Sequence, residues 1–197
     1  MKTQYDTIIE DVLQMEGGYI DDPLDKGSAT NLGVTLATLS AFLGREASKD
    51  DVKQLDKGTA VQIYKQMYWD KFRLPEFPDN LKHIYFDMTV NHGSYAGHIL
   101  QTSANNRGKG IDVDGVVGSG TLRAIESGIE VEDVLVERSM FYANNGFDGS
   151  RYARRTNQQR FIPGWFKGRI FPFATEPYRE RIAELEAENQ ELREQIP

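Results

Sequence analysis

The sequence predicts an all-α protein, and three observations predict it. Apolar residues recur at helical spacing along most of the 197 residues, capping residues fall where those periodic runs begin and end, and no stretch alternates apolar and polar residues far enough for a strand of ordinary length. Tyr5, Ile8, Ile9 and Val12 mark a first helix over residues 4–16. Residues 17–35 are rich in turn formers, with room for a short β-hairpin near residues 18–35. Thr35 can cap a helix through Leu36, Leu39 and Leu43 that Gly44 ends. Ser48 and Asp51 have capping-box spacing and open a short helix to about Leu55. Thr59 is expected to cap a longer helix whose face is Val61, Tyr64, Met67 and Tyr68, ending near Lys71. Beyond Pro75 and Pro78, Asp79 can cap a helix carrying Leu81, Ile84, Tyr85 and Met88, which Gly93 ends; another runs from about Tyr95 to Asn105. The five glycines between Asn105 and Gly120 predict a loop, and helices over 119–126 and 131–142 follow, the second buried through Val134, Leu135, Met140 and Phe141.

Composition narrows the chemistry. Hydrophobic content of 39% and charged content of 27% are those of a globular domain, and no run of eighteen apolar residues offers a membrane span. With no cysteine, disulfides, a thiolate nucleophile and cysteine metal sites are excluded together. The opening Met-Lys-Thr-Gln-Tyr-Asp-Thr has one lysine and no apolar stretch, so no secretory signal is expected there. Net charge is −7, of which residues 176–197 supply −4; Arg151, Arg154, Arg155, Arg160, Lys167 and Arg169 form a basic segment with no acid between them. No Gly-rich phosphate loop, Gly-x-Ser-x-Gly elbow or Cys-His pair occurs, which sets nucleotide and acyl-transfer chemistry aside.

The whole chain is organised around residues 16–35. A rotation of about 100° per residue carries the stripe of the first helix onto Glu16, a carboxylate where a core residue belongs. An unpaired buried carboxylate finds a cation or holds its proton, and Gly17-Gly18 sets Glu16 in the last turn, where the negative end of the helix dipole disfavours a second negative charge. Such a group is a proton donor. Glycosidic cleavage needs a proton donor and a second group, commonly a carboxylate, that activates water or attacks the sugar. Asp25 is the best candidate, because the glycines, Asp21, Asp22 and Pro23 between it and Glu16 make a reversal that can bring it back across a cleft. Thr30 or Asn31 can then hydrogen-bond the attacking water. A capped helix end followed by a solvated acidic turn is the plainer reading of the same residues.

Glu16-Gly17-Gly18-Tyr19, then Asp25 with Gly27, Thr30-Asn31 and Gly33-Val34, resembles the opening of glycoside hydrolase family 108, the N-acetylmuramidases of bacteriophage endolysins. It is also similar to the wider phage-lysozyme pattern of Glu, eight residues, Asp, about five residues, Thr; here four residues separate Asp25 from Thr30, and Gly27-Ser28 stands where the family has a glycine pair. The resemblance continues through Tyr68-Trp69 and Phe86-Asp87 to Asn91-His92-Gly93, and Asp114-Gly115-Val116-Val117-Gly118 looks like the turn of the peptidoglycan-binding module that follows the catalytic half. It implies a lysozyme-like body with a catalytic half over residues 1–93 and a peptidoglycan-binding helical half over 94–175 packed on it. It also implies cleavage of the β-1,4 bond between N-acetylmuramic acid and N-acetylglucosamine, as in a lysozyme, without a cofactor. Glu16, Asp25 and Thr30 are the catalytic candidates, and Tyr19, Asn31, Trp69, Asn91 and Trp165 the candidate contacts to glycan strands. The expected setting is synthesis in a host cytoplasm and action on the periplasmic wall after holin-type release. A non-catalytic wall-binding or phage structural protein, and a lytic transglycosylase using one acid, are the alternatives.

Other features read more plainly. Asp87, at partial depth on its helix, is a structural acid or a second catalytic one. His83, His92 and His98 lack the spacing of a metal site and read as surface or loop histidines, so no metal is expected. Asp112-Val113-Asp114-Gly115 reads as an Asx-type turn rather than a calcium loop. Residues 148–173 interleave arginines with Tyr152, Phe161, Trp165, Phe166, Phe171 and Phe173, as a closing helix with its arginines on the wet face or as a glycan-binding surface; the acidic balance argues against nucleic acid. In the tail, Ile182, Leu185, Asn189, Leu192 and Ile196 follow heptad spacing, so residues 176–197 form a terminal helix that can pair as a short parallel coiled-coil homodimer through 182–196.

Overall fold

The computed structural model describes residues 3–15, 17–21, 29–144, 147–148, 151–152 and 166–175. Glu16, Asp25, Trp165 and the heptad tail lie outside the described residues. The chain runs α1 (Gln4–Met15), β1 (Thr30–Asn31), β2 (Val34–Thr35), α2 (Leu36–Leu43), α3 (Lys49–Lys53) and α4 (Lys57–Tyr64), followed by a π-helical turn (Lys65–Asp70) and a 3-10 turn (Leu74–Glu76). It continues through α5 (Asp79–His92), α6 (Tyr95–Asn106), α7 (Ser119–Glu126), α8 (Val131–Asn144), β3 (Phe147–Asp148), β4 (Arg151–Tyr152), a second π-helical turn (Phe166–Ile170) and α9 (Phe171–Thr175). The fold is mostly α-helical; among the described residues the only sheets are the antiparallel hairpins β1–β2 and β3–β4. The second was not anticipated, because two residues per strand leave no alternation to read.

Local chemistry explains where the helices start and stop. Thr35 caps α2 by accepting the Thr38 N–H, and Gly44 ends it in the left-handed region at φ 64°. Ser48 and Asp51 form the expected capping box of α3. The cap of α4 is Asp56 rather than Thr59. Its carboxylate accepts both the Thr59 amide at 2.9 Å and the Thr59 hydroxyl at 2.6 Å, so the stronger acceptor opens the helix earlier. The expected single helix to Lys71 is instead α4 and a π-helical turn. Asp79 is the first residue of α5 rather than its cap, a place taken by Pro78.

One apolar core crosses residue 93. It takes Tyr5, Ile8, Ile9 and Val12 from α1, Ile63 and Tyr64 from α4, Leu81, Ile84, Tyr85, Phe86 and Met88 from α5, Ile99 and Leu100 from α6 and Val134 from α8. α6 packs between α5 and α8, and α9 closes over α8. Met140, expected inside, is 46% exposed. A buried polar knot ties the same elements. Asp87 is fully buried on α5, beyond the partial depth its helical position suggested, and its carboxylate takes Arg138 of α8 on Oδ2 and Arg169 on Oδ1 at 2.7 Å. Arg138 Nε donates to His92 Nε2 at 3.2 Å, and its Nη1 to the Arg169 carbonyl at 3.0 Å. Arg169 was expected on a wet face; a buried carboxylate turns it inward.

Candidate active site

α1 leads into the site on a buried stripe. Tyr5, Ile8, Ile9, Val12 and Leu13 are all within the core, and the Tyr5 hydroxyl donates to the Val61 carbonyl at 2.6 Å, tying α1 to α4. Gly17, Gly18, Tyr19 and Ile20 are exposed, Ile20 by 60%. Ile20 and Thr30 then form an antiparallel bridge, each amide donating to the other's carbonyl at 2.8 Å. The bridge pairs the segment after Gly18 with the start of β1.

Thr30 pairs onward with Thr35 across β1–β2. The connecting residues Leu32 and Gly33 both have positive φ, 50° and 72°, the signature of a two-residue type I′ turn whose twist matches the paired strands. Glycine takes this conformation freely and leucine does not, so Leu32 must be held. The buried Tyr64 holds it, its hydroxyl donating to the Leu32 carbonyl at 3.0 Å. Asn31 is also buried, and its amide donates to the carbonyls of Val52, Lys53 and Leu55 at 3.0, 3.3 and 3.4 Å. These carbonyls lie at and just past the end of α3, where the Val52 carbonyl also accepts the Leu55 amide at 3.2 Å, so Asn31 ties the hairpin to the end of that helix.

α3 in turn grips the segment after Gly18. Lys49 Nζ reaches both Asp21 carboxylate oxygens at 2.9 and 3.0 Å, and Lys53 Nζ stands 5.9 Å from the centre of the Tyr19 ring. The two lysines are four residues apart and share a helical face. That spacing was visible in the sequence, but nothing there said which segment lay opposite. A five-residue helix, opened by the Ser48 capping box and met at its end by Asn31, thus seats both the hairpin with Thr30 and the segment with Tyr19 and Asp21.

The remaining candidates separate. Trp69 is 6% exposed and sits edge-on to Tyr5 and Phe86 at 5.1 and 5.6 Å, a core position that leaves little indole surface for a sugar. Asn31 spends its amide on backbone carbonyls, which argues for a structural role over contact with glycan or water. Asn91 is exposed at the end of α5, its amide donating to the Asp87 carbonyl at 2.7 Å. Thr30 and Tyr19 are the described candidates that the bridge brings to one place. Asp87, paired with two arginines, is a structural acid. His92, expected at the surface or in a loop, lies between Phe141 and Tyr142, and burial, then Arg138 and Arg169, push its pKa well below the usual imidazole value. It is neutral, with Nε2 free to accept from Arg138. Among the described residues no group of three or more His, Cys, Asp or Glu could hold a metal ion.

A mostly helical body with a short antiparallel hairpin seated on α3 is consistent with a lysozyme-like fold. The family model described as Glycosyl hydrolase 108 matches residues 9–93, and one described as Predicted Peptidoglycan domain matches residues 95–170. Among solved structures, that of SagA from Brucella abortus is 32% identical, with a TM-score of 0.71 over 86% of this chain and 90% of that one. A comparison with curated proteins finds no match. The chain belongs to glycosyl hydrolase family 108. It is a glycoside hydrolase acting on peptidoglycan.

Proposed function

We propose that the protein cleaves the β-1,4 bond between N-acetylmuramic acid and N-acetylglucosamine. In this reading Glu16 protonates the leaving oxygen, Asp25 orients or deprotonates water and Thr30 assists. The observation that supports it is the Ile20–Thr30 bridge, which joins the segment after Gly18 to the hairpin carrying Thr30, with Asp21 held on α3 by Lys49. Tyr19, 37% exposed, is the aromatic candidate with surface open to a sugar ring, and Asn91 is a second exposed contact. If the carboxylates stand about 6.5–9.5 Å apart the course inverts, and near about 5 Å it retains. The setting we propose is that of a phage endolysin, released through a holin to the periplasmic wall and lytic there.

Mass spectrometry of muropeptides from purified peptidoglycan tests this reading. Hydrated reducing N-acetylmuramic acid ends are expected. Anhydro ends would make the protein a transglycosylase, reducing N-acetylglucosamine ends would move the scissile bond, and no release would make it a wall-binding protein. Asp25→Asn should be badly impaired while Asp21→Asn and Asp22→Asn are not; equal loss at Asp22 would misplace the second carboxylate.

A further inference from the structure

The two lysines by which α3 meets the segment after Gly18 end differently. The charge of Lys49 is spent, since its Nζ bonds both oxygens of Asp21 at 2.9 and 3.0 Å. Lys53, one turn further on at the last position of α3, is exposed and pairs with no carboxylate among the described residues. Its Nζ stands 5.9 Å from the centre of the Tyr19 ring, near the outer limit of a cation–π contact. The base of the side chain is nevertheless fixed. Val52 beside it is fully buried, and the Lys53 carbonyl accepts the Asn31 amide at 3.3 Å. The Lys53 backbone is thus tied to the hairpin carrying Thr30, while its ammonium stays open beside Tyr19.

A ring and a charge set side by side select more than a ring alone. A neutral sugar needs only an apolar aromatic surface, which Tyr19 offers at 37% exposure. A cation next to that ring adds attraction only for a ligand that carries an anion. Of the two sugars of peptidoglycan, N-acetylglucosamine carries none, whereas the muramyl residue bears a stem peptide with free carboxylates. With a net charge of −7 the chain as a whole repels such a ligand, so attraction to it has to be local.

We propose that Lys53 is a specificity-determining residue, its ammonium meeting a stem-peptide carboxylate of the muramyl residue that lies against Tyr19. The enzyme thereby prefers peptide-bearing strands to neutral glycan. The inference rests on Tyr19 being a sugar contact, and it adds the charge that chooses which sugar lies there.

The test compares initial rates on soluble uncrosslinked glycan strands carrying their stem peptides and on the same strands with every carboxylate capped as a methylamide. For Lys53→Gln, KM on the free-acid strands should rise about fivefold, the worth of one ion pair in water, with kcat held within about twofold. The difference from wild type should vanish on methylamide strands and in about 1 M salt, where screening shortens to about 3 Å. Lys53→Arg keeps the charge and should stay within about twofold of wild type. Lys71→Gln, at an exposed lysine beside Phe72, controls for the loss of one positive charge elsewhere. An unchanged KM for Lys53→Gln, a rise equal on both kinds of strand, or a rise matched by Lys71→Gln would overturn the proposal. A lower Tm with KM unchanged would do so too, leaving Lys53 only the service of a cation at a helix C-terminus. Tyr19→Leu separates the inference from the reading beneath it: KM should rise on both kinds of strand, and no rise would remove Tyr19 as the sugar contact whatever Lys53 does. Should the wild type release nothing, the hydrolase reading fails, and Kd from the anisotropy of labelled strands decides Lys53 by the same comparisons.

Discussion

Asp87→Asn removes the charge from the centre of the buried knot while keeping its size and one acceptor oxygen. Asp87 and Arg138 both have fully buried side chains and Arg169 is 14% exposed, so almost no water is available to screen two guanidiniums that have lost their carboxylate. Breaking such a pair from one side costs about 3–5 kcal/mol, against about 1 kcal/mol or less for an exposed pair. For a chain of this size that is a fall in Tm of about 6–20 °C. Thermal and urea unfolding of the variant measure it directly. In an Arg138→Met background the same change should cost at least about 2 kcal/mol less, since the guanidinium that most needed the carboxylate is gone. A single variant within about 1 kcal/mol of wild type, or additive costs in the double variant, would refute the claim that Asp87 anchors α8 and the Arg169 turn onto α5.

Leu32→Gly should raise stability by about 1 kcal/mol in urea unfolding, because Leu32 sits at φ 50° and glycine takes that conformation without strain; a loss would show that its partly buried side chain outweighs the strain. Asn31→Ala removes the amide that reaches three carbonyls at the end of α3, of which Val52 keeps the Leu55 amide, and should cost about 1–3 kcal/mol, with muropeptide release falling as the hairpin loosens. His92 titrates below its usual range in the folded state, so as pH drops below about 6.5 the unfolded chain gains a proton that the folded chain refuses, and stability is lost toward acid. His92→Gln, which can still accept from Arg138, should flatten that slope by up to about 1.4 kcal/mol per pH unit, and an unchanged slope would assign it to other groups.

Much of this architecture was legible in the sequence because it is written locally. The Thr35 and Ser48 caps, the Gly44 and Gly93 stops and the Asx turn at Asp114 each depend on residues within four positions of one another, and the structure has them all. Where two acceptors competed, as at Asp56 and Thr59, spacing alone did not reveal that the carboxylate would win. The long-range chemistry was not legible. Asp87 reads as a half-buried acid until Arg138 and Arg169 arrive from 51 and 82 residues away. Trp69 reads as a sugar-stacking ring until Tyr5 and Phe86 enclose it, and Asn31 as a water ligand until the end of α3 meets it. At the candidate site the periodic stripe pointed to Glu16 and the turn formers to a reversal. That Ile20 pairs with Thr30, and that Asp21 and Tyr19 rest on Lys49 and Lys53, required the tertiary structure.

The most direct test of Glu16 as the proton donor is the rate of soluble muropeptide release from purified peptidoglycan by Glu16→Gln, taken beside its melting curve. The amide keeps the size of the acid and cannot donate a proton of suitable acidity, so a loss on the order of 10² or more with the wild-type Tm is expected. Near-normal release by a folded Glu16→Gln protein would contradict it.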